Sequence, residues 1–348
     1  MTRVAVFLLI FFTSVFLIEV WVFSNIAENF NKSVVNDSAC FDGSLNGICA
    51  SEKPYFCQNG VLEEKADICG CPKNFIIANE KCISQFQTEP RNITLNYTLR
   101  GEKFEINYTI YKGMVDYLSK LPIYITSNGN NISRTDFKLR NINQEEQKIL
   151  LFPLVVEIEK ISESDEDAAR IAISLAQNIE WGNSNKTSFF RDTEIQYSRY
   201  PYEVLYDAQG VCGEKSELLA FLLQEFGYET AIFYNHDENH ESVGVKCQME
   251  KSWKNTGYCF IETTGPAIIS DSSIIYSGGF SLVSEPQVLP ISDGKPFSED
   301  MYEYADAEKI TEIRKIFSGD KFFFNPWRFV EFRKLEKKYG LVKSYQAG

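Results

Sequence analysis

The chain has 348 residues, of which 44% are hydrophobic and 14% aromatic, so it is long enough to bury a sizeable core. Its formal net charge of -13 argues against a nucleic-acid partner, because such a partner requires a basic face to neutralise phosphates.

The first predicted element is a membrane anchor. Residues 4–23 read VAVFLLIFFTSVFLIEVWVF, and a helix of that length, about 30 Å, matches the hydrocarbon core of a bilayer. The candidate cleavage site Val22-Phe23-Ser24 is a weak match to a secretory signal, so residues 1–24 favour an uncleaved signal-anchor. Arg3 favours an inside N-terminus, which places the rest of the chain outside the cell. The predicted location is the cell membrane, and the alternative is secretion after signal cleavage.

A polar tether at residues 25–39 and a small disulfide-rich module at residues 40–82 are predicted next. The module contains six of the nine cysteines: Cys40, Cys49, Cys57, Cys69, Cys71 and Cys82. This density, with little apolar content, is typical of a loop-rich unit held together by disulfides in an oxidising compartment. A zinc site at Cys69-Gly-Cys71 is the alternative. The pairing cannot be read from the sequence, because six cysteines can pair in many ways.

Glycosylation sequons give independent support for an outside location. They occur at Asn31, Asn36, Asn92, Asn96, Asn107, Asn131 and Asn185. The apolar residues around Asn96 and Asn107 alternate as in β-strands and leave both asparagines on the polar face, as a glycan requires. Polar residues face outward in any case, so attachment of sugar stays an open question.

Residues 90–140 are predicted to form a β-rich accessory region, with a hairpin over 92–111 and a short helix near 112–120. Helical patterning dominates afterwards, in a main domain assigned to residues 141–348. Asn143-Gln-Glu-Glu146 predicts a capping box that opens a helix, which Pro153 should kink or divide. Ser164 is predicted to cap the following helix, which has one apolar face.

Residues 210–264 contain the most informative pattern. GVCGEKSELLAFLLQEFG, residues 210–227, places Cys212 in the first turn of an apolar helix that ends at Gly227. Gly210 and Gly213 flank the cysteine, which we interpret as keeping its surroundings open to a substrate. Strands are predicted at about 229–234, 241–247 and 258–263, so that His240 opens the second strand and Glu262 ends the third.

Cys212, His240 and Glu262 are the predicted catalytic residues. Unpaired N–H groups and the macrodipole at a helix N-terminus favour a thiolate, and a backbone N–H there could receive an oxyanion. An imidazole can take the thiol proton, and a carboxylate can orient the imidazole.

Several alternatives to this triad stay open at this point. Cys212 could be a core residue, since free cysteine behaves as a small hydrophobe, and Glu262 could be an ordinary exposed carboxylate. His236 and His240 could form a metal pair, although no third ligand is evident in the sequence. The rival orienting residues are Asn235, Asp237 and Asp271.

Cys247 and Cys259 lie near the ends of neighbouring predicted strands and could form a disulfide, which would leave Cys212 unpaired. A regular antiparallel ladder that pairs His240 with Glu262 places Cys247 about four residues from the position opposite Cys259, too far for a bridge. A bulge near Gly244 or irregular strand ends would have to absorb this offset. Otherwise either the disulfide or the role of Glu262 is wrong.

Residues 165–265 resemble the transglutaminase-like superfamily, whose fold is related to papain-like cysteine proteases. The resemblance rests on these segments: GVC at 210–212, LLQEFG at 222–227, NHESVGV at 239–245 and YCFIETTGP at 258–266. It implies Cys212 as nucleophile, His240 as general base and acid, and Glu262 as orienting residue, where the family usually has Asp. Residues 199–205 look like the family's lead-in and receive no catalytic role.

Residues 40–82 likewise resemble disulfide-rich modules of prokaryotic surface proteins. Those modules often carry two further cysteines, at positions that match Ala66 and Ile77 in this chain. The absence of both fits the loss of one whole bridge.

The predicted fold class is α+β: a papain-like transglutaminase-type domain, preceded by the disulfide-rich module and one N-terminal transmembrane helix. In that domain, with its core at residues 165–265, a buried helix carrying Cys212 packs on an antiparallel sheet. The predicted function is a membrane-anchored extracellular cysteine enzyme that forms an acyl-enzyme on Cys212. Its expected partners are a protein or peptide substrate and the membrane, with no cofactor and no metal. The alternative is a non-catalytic adhesion module that binds peptide or cell-wall material.

Overall fold

A computed structural model describes residues 39–122, 124, 131–190, 193–318, 326–342 and 344–347 of the chain. The chain divides into two compact units, Met1–Gln85 and Phe86–Gly348. The predicted anchor at residues 1–24, the tether up to residue 38, and the sequons at Asn31 and Asn36 lie outside the described residues.

The fold class predicted from the sequence is wrong as stated, because it included a membrane-spanning helix. Within the described ranges, no helix combines the length and the apolar character that a membrane crossing requires. The described architecture is a mixture of helices and strands with four disulfides.

Disulfides and short hairpins build the first unit. In chain order its elements are β1 (Tyr55–Gln58), β2 (Val61–Glu64), α1 (Ala66–Cys69), β3 (Phe75–Ala78) and β4 (Lys81–Ser84). β1 pairs with β2 and β3 with β4, both antiparallel. The predicted disulfides of this unit are confirmed, and their pairs are Cys40–Cys57, Cys49–Cys69 and Cys71–Cys82. Cys69 and Cys71 therefore offer no thiolate to a zinc ion, because both sulfurs are bonded to other sulfurs.

The second unit combines a hairpin, a group of helices and a four-stranded sheet. Its first elements are β5 (Pro90–Leu99), β6 (Glu102–Tyr111), α2 (Lys112–Leu118), α3 (Arg134–Ile142), α4 (Glu145–Ile161), α5 (Asp165–Asn178), β7 (Glu180–Trp181), β8 (Thr187–Phe190) and β9 (Thr193–Gln196). The remaining elements are α6 (Pro201–Asp207), β10 (Gln209–Gly210), α7 (Cys212–Glu225), β11 (Thr230–Asn235), β12 (His240–Lys246), β13 (Tyr258–Ile261), β14 (Gln287–Ser292), α8 (Tyr302–Ser318) and α9 (Pro326–Tyr339). Short 3-10 helices occur at Gln85–Gln87, Met249–Lys251 and Trp253–Asn255.

The hairpin predicted over residues 92–111 is confirmed, with Arg100 and Gly101 in the left-handed region at its turn. Its alternation buries Leu95 and Ile106, among others, in the same apolar core as the helices of the second unit. The opposite face is polar. All five described sequon asparagines are exposed: Asn92, Asn96, Asn107, Asn131 and Asn185.

Helix α4 begins without the predicted capping box and continues through Pro153. Gln144 is its N-cap and provides no side-chain cap, so the predicted capping box is wrong. Pro153 lies inside the helix and does not divide it. The loss of one helical hydrogen bond costs about 3 kcal/mol, and the buried face on both sides of Pro153, which includes Leu151 and Val155, outweighs that cost. By contrast, Ser164 accepts a hydrogen bond from the Asp167 amide and caps α5 as predicted.

The sheet has the strand order β13-β12-β11-β14, with every neighbouring pair antiparallel. Helix α7 packs against β11 and β12, and nearly all of its side chains are buried, which is why its sequence is apolar almost all round. Gly227 follows the helix with a φ of 79°, as expected of a left-handed C-terminal residue. The nucleophile candidate at the start of α7 therefore faces a sheet that contains His240 at the start of β12.

The register of β12 and β13 resolves the conflict between the disulfide and the acid. Val245 pairs with Cys259 and Val243 with Ile261 in a regular ladder, so no bulge occurs at Gly244. In this register Cys247 lies two residues from the position opposite Cys259, and His240 lies two residues from the position opposite Glu262. The offset of four residues is thus divided equally between the two contacts. The Cys247–Cys259 disulfide forms with a Cα–Cα distance of 5.7 Å, and Glu262 still reaches His240.

Candidate active site

Cys212 is the first residue of α7, and its backbone is fixed by a buried carboxylate. The Glu214 carboxylate accepts hydrogen bonds from the amides of Val211, at 3.1 Å, and Arg199, at 2.7 Å. Glu214 thereby caps the helix through the backbone of its N-cap residue. All nine cysteines are described; eight are in disulfides and Cys212 alone is free, with 5% of its surface exposed.

Arg199 organises the chain that leads to Cys212. Its buried guanidinium donates to Glu214 at 3.0 Å and to Asp207 at 2.7 Å, and also to the carbonyl oxygens of Gly182 and Asn183. Residues 199–205, which received no catalytic role from the sequence, thus contribute a residue that positions the backbone before Cys212.

His240 is fully buried and its ring is held from two sides. Its Nε2 lies 3.0 Å from Oε2 of Glu262, and its ring centroid lies 4.7 Å from that of Tyr276 in an edge-on contact. Burial alone would lower the pKa of His240, but the charges and hydrogen-bonding groups of Glu262 and Cys212 together outweigh burial and raise that pKa. A histidine here is therefore held toward its protonated form.

The second ring nitrogen, Nδ1, is buried and makes no hydrogen bond of normal geometry. Cys212 is near enough to His240 to raise its pKa. Because Nδ1 is unpaired, the Cys212 sulfur and the His240 imidazole are neighbours that do not form a hydrogen bond. With Nε2 donating to Glu262, a neutral ring would have Nδ1 free to accept a proton.

Glu262 follows β13 directly and is enclosed by donors. Its Oε1 accepts hydrogen bonds from the amides of Thr263 and Thr264, at 3.0 and 2.7 Å, and from the Thr264 hydroxyl at 2.6 Å. Its Oε2 accepts from His240 and from the Tyr276 hydroxyl. Burial would raise the pKa of Glu262, but His240 and these hydrogen bonds hold that pKa below its usual range. The side chain is fully buried, so the alternative of an exposed strand carboxylate is wrong.

The rival orienting residues have other partners. The carboxylate of Asp271 pairs with Arg314 at 2.6 Å, and the amide group of Asn235 donates to the Ser284 carbonyl at 3.0 Å. Asp237 lies at the surface beside His236. Glu262 is therefore the acid that the tertiary structure assigns to His240.

The two histidines do not converge on a common point. His236 is exposed and contacts Asp237 at 3.3 Å, whereas His240 is buried against Glu262. Across the described part of the chain, no group of three or more His, Cys, Asp or Glu residues is arranged to hold a metal ion.

The glycines beside Cys212 have a role different from the one expected. A Cβ atom at Gly213 would collide with the Glu241 carboxylate, and one at Gly210 would come within 3.1 Å of Lys215 Cγ. Side chains thus pack closely against the backbone around Cys212, and a Cβ atom at Gly213 would displace the Glu241 carboxylate. The interpretation that these glycines keep the surroundings open is wrong.

The charged group beside Gly213 is a compact ion cluster. Lys138 on α3 donates to Glu217 on α7 at 2.8 Å and to Glu241 on β12 at 2.5 Å. Because it bridges the helix of Cys212 and the strand of His240, Lys138 links the two elements that present the candidate nucleophile and base.

Two further residues near Cys212 were missed by sequence reasoning. Lys215 lies one helical turn after Cys212, is fully buried, and donates to the Ile179 carbonyl at 2.6 Å. Burial lowers the pKa of Lys215 to about 8, against the opposing charges of Glu262 and Cys212. Its sequence context carried no signal, because Lys215 stands in a run of polar residues, Glu214 to Glu217, at the start of the helix.

Trp181 is the second missed residue. Its strand β7 pairs in parallel with β10, and Trp181 pairs with Gly210, two residues before Cys212. Its indole Nε1 is buried and has no hydrogen-bond partner. An unpaired buried donor is available to a ligand atom. No sequence signal pointed to it.

No family model matches the chain, and no curated protein matches it.

Proposed function

We propose that this protein is a thiol enzyme of the transglutaminase-like kind, which acts on protein or peptide amides through an acyl-enzyme on Cys212. The observation that supports this most strongly is the buried pair of His240 and Glu262, set beside the only free thiol at the N-terminus of α7. A five-fold hydrogen-bonded carboxylate on an imidazole is the arrangement by which an acid orients a general base.

The proposed reaction proceeds in two stages. His240 takes the proton of Cys212, and the sulfur attacks the amide carbonyl to form a tetrahedral oxyanion. Backbone N–H groups of the first turn of α7 and the unpaired indole N–H of Trp181 are the donors proposed for that oxyanion. The carbon–nitrogen bond then breaks, the leaving amine takes the proton from His240, and a thioester remains. Water or a second amine attacks the thioester and releases Cys212.

An extracellular or otherwise oxidising compartment is proposed as its location. The four disulfides support this, because such bonds persist where thiols are not kept reduced. The exposed positions of all five described sequon asparagines are compatible with N-glycosylation.

One observation favours a second candidate function, a non-catalytic module that binds peptide or cell-wall material. Cys212 is only 5% exposed, and His240 and Glu262 are fully buried, so a substrate requires movement at the site. In a binding module, the same buried network would serve only to stabilise the fold.

Alkylation of the thiol by iodoacetamide discriminates between the two functions. In an enzyme, Cys212 reacts at neutral pH, and His240→Ala slows the reaction by about tenfold or more. The matched control is His236→Ala, which removes the exposed histidine and should leave the rate unchanged. Equal, slow labelling of all three proteins would favour the binding module. Mass spectrometry assigns the adduct, since Cys212 is the one thiol outside a disulfide.

A further inference from the structure

Tyr276 contacts both members of the buried pair. Its hydroxyl donates to Oε2 of Glu262, the same oxygen that faces Nε2 of His240. Its ring lies edge-on against the imidazole at 4.7 Å, and only 2% of the residue is exposed. A single side chain thus sets both the charge distribution on the carboxylate and the space available to the imidazole.

A tight turn holds Tyr276 in this position. The Tyr276 amide donates to the Phe280 carbonyl at 2.9 Å, and the turn passes through Gly278 and Gly279, both with positive φ. The Phe280 ring stacks on the Tyr276 ring with centroids 5.5 Å apart. The two glycines permit the left-handed backbone that brings Phe280 back onto the ring.

Residues 344–347 cover the outer side of the same turn. Tyr345 forms a parallel bridge with Tyr276, and its carbonyl accepts from the Ser277 amide at 2.7 Å. The Tyr345 hydroxyl donates to the Pro266 carbonyl at 2.7 Å, which ties the segment to the chain that follows Glu262. The rings of Tyr276 and Tyr345 lie 6.3 Å apart.

We propose that Tyr276 is a positioning residue for Glu262 and His240, and that residues 344–347 hold Tyr276 in place. The catalytic consequence rests on the proposed function, whereas the structural coupling does not.

The sign of the effect follows from the shared oxygen. Tyr276 and His240 both donate to Oε2, so the hydroxyl withdraws part of the carboxylate's charge from the imidazole. Without the hydroxyl, Glu262 holds the imidazolium proton more tightly. The ionisable groups that face His240 are Glu262, Cys212 and Tyr276, while Lys215 acts on the first two of these.

The decisive experiment is an NMR titration of the two histidines in the full chain without substrate. In Tyr276→Phe, which keeps the ring, we expect the His240 midpoint to move to higher pH by about half a unit or more, and its Nε2 proton to move downfield. The matched control is Tyr258→Phe, because the Tyr258 hydroxyl donates to a different carboxylate, Glu229, at 2.8 Å. An unchanged midpoint and proton shift in Tyr276→Phe would overturn the positioning role.

The covering segment is tested by the same readout. Tyr276→Leu removes the ring as well, and we expect broadened or doubled His240 signals and slower alkylation of Cys212. Tyr345→Ala, and a chain lacking residues 344–348, should reproduce that pattern with His236 unaffected. Sharp, wild-type His240 signals in both variants would show that the segment does not hold Tyr276 in place.

Failure of the proposed function remains distinguishable from failure of this inference. If the protein is a binding module, the NMR shifts in Tyr276→Phe still occur while alkylation does not depend on His240. If the enzyme proposal is right and Tyr276 is merely structural, alkylation depends on His240 while the NMR shifts are absent.

Discussion

His240 and Glu262 form a buried pair in which Nε2 of the imidazole lies 3.0 Å from Oε2 of the carboxylate, with neither side chain reaching solvent. In water such a pair would be worth little, but away from solvent its charge interaction is strong and its geometry is restricted. The pair therefore both orients the imidazole and shifts its protonation.

The first prediction concerns the carboxylate itself. Glu262→Gln leaves one acceptor oxygen where the carboxylate has two, so the amide cannot accept from both the Thr263–Thr264 side and from His240. We expect the alkylation rate of Cys212 at neutral pH to fall by about tenfold or more. Asp237→Asn, at an exposed carboxylate, is the control and should label like the wild type. A wild-type rate in Glu262→Gln would show that the acid does not act on the imidazole.

The second prediction separates nucleophilicity from oxyanion stabilisation. Trp181→Phe removes the unpaired indole N–H and keeps an aromatic ring beside Gly210. We expect acylation of Cys212 by p-nitrophenyl acetate to slow by about tenfold or more, because that reaction passes through an oxyanion. Alkylation by iodoacetamide forms no oxyanion and should keep its rate. Equal loss in both reactions would indicate damage to the thiol environment instead.

The third prediction is a dependence of stability on pH. Burial lowers the pKa of Lys215 to about 8, below the value of about 10.4 expected in the unfolded chain. Between these values the unfolded chain binds more protons, so the contribution of Lys215 to the free energy of unfolding rises as pH increases through this window. Below it, a full burial penalty of up to about 3 kcal/mol applies.

Lys215→Met removes this term. Urea denaturation at pH 7 and pH 9.5 measures it, as the difference between variant and wild type at each pH. We expect the free energy of unfolding of the variant, relative to that of the wild type, to be higher at pH 7 than at pH 9.5. The comparison cancels the other titrating groups to first order, including His240, whose raised pKa acts in the opposite direction with rising pH. If the difference in unfolding free energy between variant and wild type is the same at both pH values, the pKa of Lys215 is not lowered in the folded protein.

The fourth prediction concerns the support of the nucleophile. Arg199→Met leaves the carboxylates of Glu214 and Asp207 without their buried cation, which we expect to cost about 3 to 5 kcal/mol of unfolding free energy. Arg333→Met breaks an exposed pair with Glu336 and should cost less than about 1 kcal/mol. Urea denaturation of both variants checks this. Equal, small losses would place Arg199 outside the structural support of α7.

Local signals in the sequence were sufficient for several elements. The alternation of residues 92–111, the Ser164 cap and the apolar helix after Cys212 each depend on residues within a turn or a strand of one another. Local reasoning failed at Gly213, because packing against residues distant in the chain decided its role. The capping box predicted at residues 143–146 is also wrong. The sequence there matches a capping box, but the N-cap of the helix is Gln144.

The sequence alone determined which side chains were candidates for a site. These were one thiol outside the predicted disulfides, two histidines, and the candidate orienting residues Glu262, Asn235, Asp237 and Asp271. Only the tertiary structure decided which acid contacts His240. The register of β12 and β13 places Glu262 two residues from direct pairing with His240, and Cys259 two residues from direct pairing with Cys247. The same holds for Tyr276, Lys215, Arg199 and Trp181. Their roles arise from burial and from contacts with residues distant in the chain, which leave no periodic pattern in the sequence.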